Sequence, residues 1–133
     1  MSERLNDAAR NRQVDSIGDD FNNATLKIYS GTQPAAGAAA TGTLLVTITL
    51  PADAMAAASG GVAAKSGTWS GTAVAGAPTD AGWFRVESAA GTRWYDGAIT
   101  TTGGGGEIEM TSVAITSGQL VTISSFSITQ PAN

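Results

Sequence analysis

The sequence predicts an all-β domain, an antiparallel β-sandwich of jelly-roll or Ig-like type, with a short N-terminal helical or extended arm. Three observations carry that reading. From residue 24 onward apolar residues recur with a period of two, the spacing of half-buried strands. Turn signals interrupt the chain about every ten residues, the rhythm of antiparallel sandwiches rather than of βαβ units. Charge is unevenly spread: eight of the 18 charged residues fall within residues 1–20, leaving ten for the other 113. That body is far below the roughly 25% charged residues of an ordinary soluble domain. The expected boundary places an arm at 1–23 and the sandwich at 24–133.

Taken in order, the arm reads as partly helical. Ser2 can cap it, and Leu5, Ala9, Ile17 and Phe21 recur at multiples of four, on or near one face. Gly18 and Asp19-Asp20 weaken its last turn, and Asn22-Asn23 form a turn. An isolated helix of this length is marginal in water, so it lies either on its own domain or on a neighbouring subunit. In "ATLKIY" Leu26 and Ile28 share a face opposite Thr25, Lys27 and Tyr29. In "TLLVTITL" Leu44, Val46, Ile48 and Leu50 face inward, with Leu45 opposite. "ADAMAAAS" (52–59) suits one or two helical turns, because Ala and Met favour helix and Gly60-Gly61 stop it. Further strands are expected at "GVAAKS", "TWSGTAV", "AGWFRVES", "TRWYDGAIT", "EIEMTSVAI" and "QLVTISSFSITQ". The last changes phase at Ser124-Ser125, and is either buried on both faces or bent by a bulge there.

Composition removes most chemistry. With no Cys and no His, disulfides, zinc-thiolate sites and the commonest general bases and nucleophile activators are absent, and no enzyme activity or cofactor is expected. The balance of 7 basic and 11 acidic residues offers no footprint for a phosphate backbone, so no nucleic acid is expected as partner. No run of eighteen apolar residues exists and the N-terminus lacks an apolar leader core, so no membrane partner and no secretory signal are expected. Glu107 and Glu109 share a face of one strand without the ligand number calcium requires. Asp80 reads as a turn cap, Glu87 as a strand-surface charge and Asp96 with Gly97 as a turn. The "GGGG" at 103–106 lacks the Lys-Ser/Thr of a phosphate loop and reads as a flexible hairpin connection.

Gly, Ala, Ser and Thr make up 70 of the 133 residues. A surface of such small neutral side chains is either covered by other protein, since interface cores are depleted in charge, or kept soluble by hydroxyls alone. Trp69, Trp83, Phe84, Trp94 and Tyr95 lie within 27 residues. Alternation puts Trp83, Arg85 and Glu87 on one face of their strand, so that Arg85 or Arg93 could stack on an indole. The cluster is either partly core or an exposed platform for a sugar or a protein. The residues singled out for protein interaction are Leu5, Arg10, Arg12, Ile17, Phe21, Trp83 and Arg85.

At "LKIYSGTQPA", "GTLLVTITLP", "AGWFRVESAAGTRWYDGAI" and "VTISSFSITQPAN" the chain resembles a group of small tailed-bacteriophage virion proteins, from residue 21 to its end. That resemblance implies a capsid decoration (cement) protein on the virion surface. It would be made in the host cytoplasm, bound to the major capsid protein, and act as a homo-oligomer on the virion. It carries over no catalytic residue. The alternatives are a tail or baseplate component, and a virion-borne carbohydrate-binding module using Trp69, Trp83 or Trp94.

Overall fold

A computed structural model describes residues 4–130; Ser2, expected to cap the arm, lies outside them. The described residues are mostly β, with one helix. Helix α1 (Asp7–Phe21) is capped by Asn6, whose Oδ1 accepts from Ala9 N–H at 2.9 Å. It runs unbroken through Gly18, Asp19 and Asp20, the turn expected to be poor, because that turn is held by packing. The buried face is Val14, Gly18 and Phe21, not Leu5, Ala9, Ile17 and Phe21. Gly18 is what shifts the face: without a side chain it lets Met55 approach, 3.4 Å from where its own Cβ would stand. Ile17 is left 39% exposed.

The polar side chains of α1 do as much as its apolar ones. Asn11 Oδ1 accepts from Gly61 N–H, Asp15 Oδ1 from Ala58 N–H, and Asn22 Oδ1, just beyond the helix, from Ala54 N–H. Arg10 donates to the carbonyls of Gly60 and Gln130. Residues 52–59 are therefore not helical, as their alanines suggest. After a turn at 52–53 they bridge Met55 to Lys65 and Ser59 to Val62, because their backbone donors are met from outside: Ala54 by Asn22, Ala56 by the Ala64 carbonyl and Ala58 by Asp15 of α1.

Ten strands follow: β1 (Thr25–Ser30), β2 (Leu44–Thr49), β3 (Val62–Ala64), β4 (Trp69–Thr72), β5 (Thr79–Glu87), β6 (Trp94–Thr101), β7 (Ile108–Met110), β8 (Ala114–Ile115), β9 (Leu120–Ile123) and β10 (Ser127–Thr129). The main sheet has the order β2-β1-β5-β6-β7, with β8 added to the start of β5. Its pairs are antiparallel except β6–β7, which is parallel. The four glycines at 103–106 thus lead back along β6 rather than round a hairpin. Two short antiparallel ladders, β3–β10 and β4–β9, complete the sheets, and β4 is joined to β2 by a bridge between Val46 and Ala73.

Two expected strands are split. "EIEMTSVAI" divides into β7 and β8, and "QLVTISSFSITQ" breaks at Ser124-Ser125 so that β9 and β10 join different partners. Val121 and Ile123 before the break, and Phe126 and Ile128 after it, all point inward, which accounts for the change of phase. Leu45, placed outside by strict alternation, is buried together with Val46. The core gathers Leu26, Ile28, Ile48, Val86 and Ile99 from the main sheet around five rings: Phe21, Trp69, Phe84, Tyr95 and Phe126. Phe126 sits at their centre, with its ring centroid 5.6 to 5.9 Å from the other four.

Candidate functional site

Strand β5 crosses the middle of the main sheet, and residues 83–86 are all buried. Side chains alternate across a strand, so Phe84 and Val86 enter the core while Trp83 and Arg85 lie on the opposite face. Register brings the partners of that second face: Asp96 of β6 lies opposite Arg85, and Trp94 lies opposite Glu87. On the other side Lys27 of β1 pairs with Arg85 in register, and Tyr29 with Trp83.

The centre of this face is Arg85, 2% exposed. Its Nε and Nη2 donate to the two oxygens of Asp96 at 2.7 and 2.9 Å, and Nη2 also donates to the Ala38 carbonyl at 2.7 Å. The guanidinium lies between two indoles, 5.3 Å from the ring centre of Trp83 and 4.2 Å from that of Trp94. Hydrogen bonding to Asp96 raises the Arg85 pKa against the opposing effect of burial, so the group stays cationic. Trp83 in turn stacks on Tyr29, with centroids 4.5 Å apart and planes 12° from parallel. Its Nε1 is the one buried side-chain polar atom without a partner among the described residues.

The Ala/Gly/Pro-rich loop 31–42 belongs to this layer. It is closed at its base by Ser30, whose N–H donates to the Thr43 carbonyl and whose Oγ accepts from Thr43 N–H. It reaches the sheet through Ala38, the carbonyl that holds Arg85.

Trp94 is the exposed member of the set, at 47%. Arg85 supports one side of its ring, and its Nε1 donates to the Gly91 carbonyl at 3.3 Å. It forms a wall of two clefts. One, of about 440 Å³, is bounded by Gln33, Ala36, Gly37, Thr92 and Asp96. The other, of about 410 Å³, is more apolar, lined by Ile17, Phe21, Val86 and Tyr95 and edged by the Arg93–Asp20 ion pair.

The interaction residues read from the sequence are therefore dispersed. Phe21, Trp83 and Arg85 are buried, Phe21 lying beneath the more apolar cleft. Arg10 is engaged with Asp7, Gly60 and Gln130. Leu5 is half-buried ahead of α1, Arg12 is exposed on it, and Ile17 lines the more apolar cleft beside Phe21. Asp96, read as a turn residue, sits inside β6 as the counter-ion of Arg85. The signal for it was the alternation of "TRWYDG", which puts Asp96 on the same face as Trp94. Gln33 and Thr92 carried no such signal, because both reach the cleft from loops.

The three glutamates of the β body are occupied with structure. Glu87 pairs with Lys27, and Glu107 and Glu109 accept from the backbone N–H groups of Ala98 and Gly105. Among the described residues no three His, Cys, Asp or Glu side chains gather as a metal site. What the arrangement offers is a fixed aromatic plate beside a small polar cleft, which is binding geometry. No family model, no curated protein and no solved structure matches this chain.

Proposed function

We propose that this chain is a structural protein of a tailed-phage virion, a decoration protein that binds the assembled head and holds neighbouring capsomers together. The observation that carries the reading is that the β body has few charged residues and that its cations are engaged within the chain. Each of its four cations is bonded within the chain: Lys27 to Glu87, Lys65 to the Gly67 carbonyl, Arg85 to Asp96 and Arg93 to Asp20. The surface left over is mainly of small neutral side chains, with Asp53, Asp80, Glu107 and Glu109 as its exposed carboxylates, and it packs against protein at little desolvation cost because few charges must lose water. The two small ladders are read as a second layer facing the main sheet across the five-ring core, making the body a sandwich. The likeness of "LKIYSGTQPA" and "AGWFRVESAAGTRWYDGAI" to small phage virion proteins supports the same reading.

Its mechanism is linkage. A protein that binds the assembled lattice and not free subunits stabilises the lattice by mass action, and repetition over a symmetric shell adds weak contacts by avidity. The test uses heads of the phage that carries the gene, stripped of surface proteins and mixed with the purified chain. Saturable co-sedimentation with the shell, with a raised melting temperature of the heads, is expected. Attachment to isolated tails alone would replace decoration by a tail or baseplate role. Attachment to neither would overturn the virion reading.

A further inference from the structure

We propose that the cleft between Trp94, Gln33, Thr92 and Asp96 is a binding site for a neutral saccharide. Saccharide sites combine an aromatic surface for the apolar face of a sugar ring with a few fixed polar groups for its hydroxyls. Both are present, and Trp94 and Asp96 are held in place before any ligand arrives. Trp94 is pinned by Arg85 at 4.2 Å on one side and by its Nε1 bond to Gly91, so its exposed surface needs no ordering on binding. Trp69 and Trp83 are fully buried, which leaves Trp94 as the only one of the three tryptophans able to serve.

The polar groups have the right variety. The Gln33 amide supplies both donors and an acceptor, the Thr92 hydroxyl supplies either, and the Asp96 oxygens keep lone pairs beyond those given to Arg85. The Arg85–Asp96 pair cancels its own charge, so nothing in the cleft selects an ionic ligand. The chain's net charge of −4 further disfavours an acidic one. Ala36 and Gly37 keep the loop side low, with no atom within 4 Å of where a Gly37 Cβ would stand. The volume, about 440 Å³, falls in the range of small-molecule sites. This inference is independent of the virion reading, because it concerns the isolated chain.

The competing role for Trp94 is as a cover for the ion pair alone. The experiment titrates the purified chain with cellohexaose, chitohexaose and maltohexaose, following tryptophan emission and heat by calorimetry. A saturable emission shift and a matching isotherm with at least one of them are expected. Gln33→Ala, which leaves the ion pair and its cover untouched, should weaken that binding about tenfold, the effect of losing roughly 1.4 kcal/mol of hydrogen bonding, with an unchanged melting temperature. Trp94→Ala should abolish it, and Trp94→Phe should keep part of it should the alanine variant fail to fold. No saturable response to any of the three sugars overturns the site. So does binding that survives Gln33→Ala undiminished, or an equal response to a hyaluronan hexasaccharide, which would remove the preference for neutral ligands.

Discussion

Strand β5 buries both of its faces by different means. On one, Phe84 and Val86 join a core with no charged group. On the other, Trp83 and Arg85 form a thin layer of stacked rings and one ion pair, covered by a loop that contains no charged residue. The first face is stabilised by the removal of apolar area from water, which tolerates imperfect geometry. The second depends on geometry throughout, because a buried guanidinium is tolerable only while every partner is in place. Equal burial therefore does not mean equal robustness.

The largest effect is expected on the apolar face. Phe126→Ala removes the ring that touches all four others of the core cluster, and should cost about 3–5 kcal/mol in denaturant unfolding. A loss below about 1 kcal/mol would mean that the five rings are not one unit.

On the opposite face, Asp96→Ala leaves Arg85 buried without its counter-ion and should cost about 3 kcal/mol, the lower end for a broken buried pair. The double variant Arg85→Met/Asp96→Leu should recover most of that loss. If it does not, the pair contributes stability beyond avoiding an unpaired charge, and the contrast between the two faces is wrong.

Two glycines sharpen the comparison further. A Cβ on Gly97 would stand 2.5 Å from the Phe84 ring, so Gly97→Ala overpacks the core side by about 1–3 kcal/mol. A Cβ on Gly82 would meet the Gly31 carbonyl, where the covering loop begins. Gly82→Ala should cost at least as much, because the obstructing group is backbone and the start of the loop must move as a whole. Its second readout is emission from Trp83, which should move to longer wavelength as the cover lifts.

The smallest effect concerns Tyr95, whose pKa burial raises above 10.0, with Glu107 adding to the shift. The unfolded chain loses this proton first, so the folded state holds more protons in that range and stability must fall as pH rises past about 10. Below that pH the residue contributes no pH dependence. Tyr95→Phe should flatten the alkaline limb of a pH–melting curve and leave the neutral region unchanged.

Much of the sheet was legible in the sequence. Leu26 and Ile28, or Phe84 and Val86, announce their faces by alternation, and the same alternation set Arg85 and Trp83 on a common face ready to stack. What escaped has identifiable causes. The buried stripe of α1 passes through Gly18, which no hydrophobic pattern marks. Residues 52–59 have the composition of a helix, yet Asp15 and Asn22 bind their backbone from far away in sequence. Asp96 followed by Gly97 looks like a turn, and only its partner eleven residues earlier makes it a strand residue. The candidate cleft was the least legible part, because Gln33 and Thr92 come from two loops that local patterns do not bring together.

The row of polar contacts along α1 has one more consequence. Arg10, Asn11 and Asp15, with Asn22 just beyond, each meet a particular backbone group, so the helix is keyed in rotation as well as in position. One residue inserted after Arg12 would turn the preceding part by about 100° relative to the rest. Arg10 and Asn11 would then face water while Asp15 and Asn22 stayed seated. A purely greasy helix can slide to a neighbouring fit, but this one works like a key with its notches cut on one edge. Substitutions along it should be far better tolerated than changes in its length.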